Sequence, residues 1–380
     1  MSRPAMPRIA MVCYPSHGGS GIVATELGLA LAARGCPVHF ISYAPPVRLK
    51  GFVDNVHFHQ VFTDNYPVFH HPPYVLSLAT KLVEVVREYR IDIAHVHYAI
   101  PHATAAFLAR EMLAEHRLRT VTTLHGTDIT LVGVQPSFHT VVRFSIEKSD
   151  GVTAVSDWLR RKTLDAFSIT NPIEVIPNFV DTSRFAPRPR SSCHLSFLSE
   201  GRKTIVHASN FRPVKNVGTV IDVFARIHAA VPSNLVMIGE GPDLTKAHDA
   251  VRAAGLQSSV FFLGIQDAIE ELLPCMDLLL LPSDHESFGL IVLEAMSAGV
   301  PAIATNRGGT NEVIEPGVSG YLSDPNDVDG MARWAIDLLR DADQWAAVSR
   351  AARARAHRFD QDAILDEYLA YYRKVLDQPI

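Results

Sequence analysis

The chain has 380 residues, a length that favours two domains. Hydrophobic residues make up 47% and charged residues 20%, which excludes a disordered chain, and a net charge of −5 leaves no basic excess for a nucleic-acid backbone. The stretch Met1–Arg8 has no apolar core of signal-peptide length, and no run approaches the roughly 18 apolar residues of a membrane span. A soluble, cytoplasmic protein without a membrane anchor is therefore expected. Cys13, Cys36, Cys193 and Cys275 stand far apart with no C-x-x-C pair, which argues against a zinc knuckle or a disulfide framework and for a reducing compartment.

Along the chain, strands and helices alternate. Arg8–Cys13 reads as a buried strand, followed by a glycine loop and a helix from Ser20 to Arg34 that Gly35 stops. Val38–Ile41, Val56–Phe62, Ile91–Val96, Thr120–Leu124, Gly151–Val155 and Glu174–Ile176 are further strands, with helical periodicity between most of them, as in Val75–Tyr89 and Ala103–Glu115. Pro187–Cys193 breaks the rhythm as a linker. The alternation then restarts with strands at Thr204–Ala208, Asn234–Ile238, Val260–Leu263, Leu278–Leu281 and Ala302–Ala304, and Asp341–Leu376 is helical. Continuous apolar strands between amphipathic helices predict parallel sheets covered on both faces, hence two doubly wound α/β domains in tandem. Such sheets bind ligands beyond the carboxyl ends of their strands, so the informative residues should follow strands.

They do. Tyr14–Gly21 is a glycine loop opening a helix, where bare N–H groups favour an anion. Gly19-Ser-Gly21-Ile-Val-Ala24 fits the dinucleotide fingerprint by letter, but the acid that should hold a ribose about 20 residues on is missing: Ile41-Ser-Tyr43 stands there. After the strand ending at Ala208, Arg212 and Lys215 lie where a helix begins. Cations are unfavourable at that end of a helix, so an anionic guest such as a diphosphate is implied. Gly239–Asp243 opens the next helix. In Ser283–Glu294, Glu286 precedes a largely apolar helix and Glu294 lies inside it, so both carboxylates need partners, which sugar and ribose hydroxyls would supply. Two glycines in Arg307–Glu312 bare backbone N–H groups as a phosphate cradle.

These residues together resemble the retaining glycosyltransferases of family 4, which adopt the GT-B fold, two Rossmann-like domains facing an interdomain cleft. Glu286-x7-Glu294 matches the family's E-x7-E motif and Arg212-x-x-Lys215 its diphosphate clamp. Cys13–Gly21, His95–His102 and Thr122–Thr130 resemble more narrowly the branch that opens bacillithiol biosynthesis, and also the mycothiol branch, whose acceptor is inositol phosphate. The resemblance implies transfer of GlcNAc from UDP-GlcNAc to the hydroxyl of L-malate, with retention and without a metal or other cofactor. It implies an acceptor-binding domain at 1–184, a linker at 185–200, a nucleotide-sugar domain at 201–358, and a C-terminal helix at 359–380 returning to the first domain. By the same resemblance, His125, Arg212, Lys215 and Glu286 are catalytic. Donor contacts extend over Gly18, Gly19, Asn210, Gly239, Ile265, Ser287, Phe288, Gly289 and Glu294, while Ser16, Tyr98, Thr127 and Arg143 form the acceptor pocket.

In a helix, Glu286 and Glu294 would stand roughly 12 Å apart, too far for the paired carboxylates of a retaining glycosidase, which favours front-face departure of the diphosphate. Besides a family 4 transferase with another acceptor such as inositol phosphate, two rivals from other classes remain open. His57-x-His59 and His95-x-His97 present rings on one face of a strand, so a metal-dependent hydrolase using His95 and His97 is one alternative. A sugar-phosphate binding module without catalysis is the other. A homo-oligomer is also left open.

Overall fold

The computed structural model describes residues 6–63, 71–113, 118–193, 195, 198 and 201–379. The chain divides into two compact units, one of Met1–Pro177 with Ile364–Ile380, the other of Asn178–Ala363.

In the first unit the elements run β1 (Ile9–Val12), α1 (Gly19–Ala33), β2 (Val38–Ser42), β3 (Val56–Gln60), α2 (Tyr74–Tyr89), β4 (Ile93–His97), α3 (Thr104–Met112), β5 (Arg119–Leu124), α4 (Pro136–Glu147), β6 (Gly151–Ala154), α5 (Asp157–Phe167) and β7 (Ile173–Val175). Ala114 and Glu115, at the end of the helix expected over 103–115, lie outside the described residues. The strands form one parallel sheet in the order β3-β2-β1-β4-β5-β6-β7. Every residue of β1, β2 and β4 is buried, as continuous apolar strands covered on both faces must be.

The second unit contains β8 (Lys203–Ala208), α6 (Val217–Ala230), β9 (Ser233–Ile238), α7 (Leu244–Ala253), β10 (Val260–Gly264), α8 (Ile269–Leu272), β11 (Leu278–Leu281), α9 (Leu290–Ser297), β12 (Ala302–Thr305), α10 (Thr310–Val313), β13 (Tyr321–Ser323), α11 (Val328–Arg340) and α12 (Ala342–Ala356). Its parallel sheet has the order β10-β9-β8-β11-β12-β13. The sequence reading has no counterpart for β13. That edge strand is three residues long and only partly buried, too short for a hydrophobic period to show.

The last helix, α13 (Gln361–Leu376), joins the first unit through buried tyrosines. Tyr372 Oη lies 2.7 Å from His95 Nδ1, and Tyr371 donates to the Val152 carbonyl at 3.1 Å. The segment expected as a linker belongs to the second unit. Phe185 is buried there, and its carbonyl accepts a hydrogen bond from Ser297 Oγ at 2.9 Å. Cys193 is joined to Cys275 by a disulfide across 82 residues, which corrects the expectation that the cysteines stay reduced. Sequence spacing is silent here, because the fold carries position 193 back to the start of β11.

Candidate active site

Both sheets reverse their strand order once, between β1 and β4 and between β8 and β11. At such a switch point the loops leaving the two strands diverge to opposite faces and leave a crevice at their carboxyl ends. A short side-chain contact spans each: Ser20 Oγ and Tyr98 Oη at 2.6 Å in the first unit, and Lys215 Nζ and Glu286 Oε1 at 2.6 Å in the second.

In the second unit the loop after β8 is shaped by His207. This buried ring has Nδ1 2.9 Å from the Leu280 carbonyl and Nε2 2.9 Å from Ser209 Oγ, and Ser209 Oγ in turn accepts the Phe211 amide at 3.2 Å. Burial pushes the His207 pKa down to about 4, so the ring is neutral. The loop continues through exposed Asn210 and Arg212 into a single 3-10 turn, Pro213–Lys215. The Val214 carbonyl accepts the Asp284 amide at 2.8 Å, joining this loop to the one after β11.

Glu286 sits at the centre of that second loop. Its Oε1 accepts from both Lys215 and Ser283 Oγ at 2.6 Å. Its backbone bonds to Arg307 and Gly309, tying in the loop after β12. The ion pair is mostly out of water, with side-chain exposures of 19% for Lys215 and 11% for Glu286. Removing one member of such a buried pair typically costs about 3–5 kcal/mol. Ser287 and Phe288 follow, and Phe288 is buried edge-on to Phe359, with ring centroids 5.7 Å apart. Gly289 precedes α9, where Glu294 is buried within the helix. Gly308 has φ +122°, and a Cβ there would lie 2.0 Å from the Glu286 carbonyl oxygen. A Cβ on Gly239, after β9, would lie 1.9 Å from the Ser209 carbonyl oxygen. Backbone therefore rests directly on backbone along this edge. Ile265, after β10, is 43% exposed beside the same edge.

In the first unit, Ser16, Gly18 and Gly19 line the loop after β1 into the start of α1. Tyr98 follows β4 at φ +88°, its ring 5.7 Å from Tyr14 and 5.3 Å from His125. His125 follows β5. Its position is set by Asp128, a buried carboxylate that accepts the Ala99, Gly126 and His125 amides at 3.0, 3.0 and 3.3 Å. Burial raises the Asp128 pKa to about 6, and those amides pull against the rise. Thr127 begins the helical turn 127–131 in the same loop. Arg143 lies on an exposed position of α4, and among the described residues no hydrogen bond joins it to Ser16, Tyr98 or Thr127.

The histidine pairs act as packing and hydrogen-bonding groups. His95 has Nδ1 on Tyr372 and Nε2 2.7 Å from Thr123 Oγ1, while His97 lies between His125 and Met11. His59 meets His39 at 2.9 Å. With these nitrogens already engaged, His95 and His97 do not form the open ligand pair that a hydrolase would need. The sequence reading missed Ser20, Asp128, His207 and Ser283. Of these only Asp128 left a local signal, an aspartate two residues after Gly126 that can cap its own turn.

The family described as "Glycosyltransferase Family 4" matches residues 17–184, and that described as "Glycosyl transferases group 1" matches residues 196–355. The chain is 44% identical over 371 residues to the N-acetyl-alpha-D-glucosaminyl L-malate synthase of Bacillus anthracis, covering 97% of each. It is 29% identical over 304 residues to a GDP-mannose-dependent alpha-(1-6)-phosphatidylinositol monomannoside mannosyltransferase of Mycobacterium tuberculosis H37Rv, covering 76% of this chain and 78% of that one. Among solved structures, sucrose-phosphate synthase from Thermosynechococcus elongatus superposes with TM-score 0.80 at 20% identity over 97% of this chain and 99% of that one. An Anabaena protein in complex with UDP superposes with TM-score 0.77 at 20% identity over 97% of this chain and 100% of that one. Two Rossmann-like parallel sheets with these neighbours define the GT-B class of glycosyltransferase. Within that class, the chain belongs to glycosyltransferase family 4.

Two predictions follow from this geometry. Burial lowers the His39 and His95 pKa values to about 3 and that of His102 to about 4, against 6.5 for an unperturbed ring. Below pH 6.5 the unfolded chain therefore binds protons that the native state refuses. Stability is full above pH 6.5 and falls as the pH drops toward about 4, each ring contributing up to about 1.4 kcal/mol per pH unit. Urea unfolding at pH 7.5, 6 and 5 should show a falling midpoint, and a flat profile over that range would contradict the burial argument. The second concerns Gly308→Ala, which must separate the Glu286 and Gly308 loops. It should cut transferase activity about a hundredfold while the far-UV circular dichroism stays native.

Proposed function

We propose that the enzyme transfers N-acetylglucosamine from UDP-GlcNAc to the hydroxyl of L-malate, releasing UDP, the opening step of bacillithiol biosynthesis in the cytoplasm. The observation that carries this reading is the 44% identity to the Bacillus anthracis malate synthase, sustained over 371 residues. The switch-point chemistry supports it. Departure of UDP leaves an oxocarbenium-like sugar and concentrates negative charge on the diphosphate. Fixed cations and N–H groups aimed at that charge lower the barrier. Arg212, Lys215 and the amides around Gly308 are the groups we assign to that task. Glu286 takes sugar hydroxyls and Glu294 ribose hydroxyls. Asn210, Gly239, Ile265, Ser287, Phe288 and Gly289 shape the donor site.

We assign the acceptor to Ser16, Tyr98, Thr127 and Arg143, with the Arg143 guanidinium against a malate carboxylate. Transfer proceeds with retention by front-face attack, a departing phosphate oxygen taking the malate proton. Because Arg212 and Lys215 supply the positive charge, no metal is required.

The deciding experiment is turnover with UDP-GlcNAc against L-malate and inositol phosphate. GlcNAc-malate should form with malate, and turnover with inositol phosphate alone would overturn the acceptor assignment. Since Arg143 is exposed, Arg143→Gln should raise the KM for malate about fivefold, the value of a solvent-screened pair near 1 kcal/mol. Donor KM should be unchanged in that variant. Equal damage to both would place the malate carboxylate elsewhere. Chelation with EDTA should leave kcat intact, whereas loss of activity restored by magnesium or manganese would overturn the metal-free mechanism.

A further inference from the structure

His125 reaches its site as the end of a short chain of contacts that starts in the sheet. His97 is fully buried on β4. Its Nε2 lies 3.1 Å from Met11 Sδ on β1, and its Nδ1 lies 2.8 Å from His125 Nε2. The two imidazoles are nearly parallel, with centroids 5.0 Å apart and planes 24° from each other. Burial holds His97 well below its ordinary pKa and His125 down to about 3, so both rings are neutral and each carries a single N–H.

A thioether sulfur has lone pairs and no proton, so it can only accept. If His97 Nε2 were bare, two lone pairs would face each other at 3.1 Å. The His97 proton therefore belongs on Nε2, which leaves Nδ1 bare. A bare His97 Nδ1 requires a proton on the nitrogen facing it, His125 Nε2. With its one proton there, His125 keeps an unprotonated Nδ1.

We propose that Met11, acting through His97, fixes His125 as the Nε2–H tautomer, so that His125 Nδ1 accepts a hydrogen bond from a substrate hydroxyl. The ring then has no proton to offer a phosphate oxygen from Nδ1. Its partner is a hydroxyl of the sugar or of the acceptor, and the diphosphate is left to Arg212, Lys215 and backbone amides. Met11 and His97 are positioning residues in this scheme. The substrate part of the inference rests on the placement of His125 in the active site; the tautomer part does not.

The test is two-bond 15N–1H correlation on the full chain labelled with 15N-histidine, with His97 and His125 signals assigned from substituted variants. Wild type should show both rings with a protonated Nε2 and a bare Nδ1. A His125 ring protonated on Nδ1 would overturn the proposal. Met11→Leu keeps the volume and removes the acceptor. It should let the pair exchange between its two arrangements, giving a population with His97 protonated on Nδ1, and should lower kcat about fivefold, the scale of one lost hydrogen bond. An unchanged tautomer in Met11→Leu would remove the sulfur from the mechanism. Full turnover by His125→Ala, with the Nε2–H signature intact in wild type, would overturn the substrate role alone.

Discussion

Glu286 is the point at which the second unit's binding edge is tied together. One carboxylate oxygen holds a lysine and a serine hydroxyl, while the backbone of the same residue holds the loop after the next strand. Charge out of water is tolerated only when its partners are fixed. The pair therefore needs the 3-10 turn that delivers Lys215, and the loop needs Gly308, because nothing larger fits over the Glu286 carbonyl. A ligand with hydroxyls to donate to Glu286 and negative charge to set against Lys215 could replace this pair's contacts with its own atoms. The edge is preorganised for such an exchange.

The two units solve the same topological problem with different chemistry. Each opens its crevice where the strand order reverses, and each spans it with a contact of 2.6 Å. The second unit does so with full charges. The first spans it with neutral groups, a serine and a tyrosine, with neutral imidazoles behind them and a buried carboxylate, Asp128, gathering backbone amides. A cationic edge suits a nucleoside diphosphate.

Much of this was legible in the sequence, because buried parallel strands write themselves as continuous apolar runs and the residues after them are unusual for their place. Cations at a helix start, a glutamate inside an apolar helix, and paired glycines after a strand each conflict with local preference, and the structure brings Lys215, Glu286 and Gly308 together at the carboxyl end of the second sheet. Contacts that depend on which strand ends are neighbours were not legible. The Ser20–Tyr98 and Lys215–Glu286 contacts span 78 and 71 residues, and the disulfide spans 82. No local pattern announces such a partner. Asp128 lay inside a recognised segment, yet its role emerges only once Ala99, from another loop, is seen donating to it. The exposed setting of Arg143 is likewise a matter of which face of α4 is covered.

The return of α13 to the first unit makes the order of synthesis matter. The first unit receives Tyr371 and Tyr372 only when α13 has emerged, so His95 Nδ1 and the Val152 carbonyl lack these partners until then. At translation speeds of about 5–20 residues per second, the intervening segment Asn178–Ala363 takes on the order of ten to forty seconds to make. The second unit is continuous and can close during that interval. The nascent first unit must hold its apolar sheet without α13, a helix made only after the whole second unit, and α13 then completes the half of the molecule that was made before it.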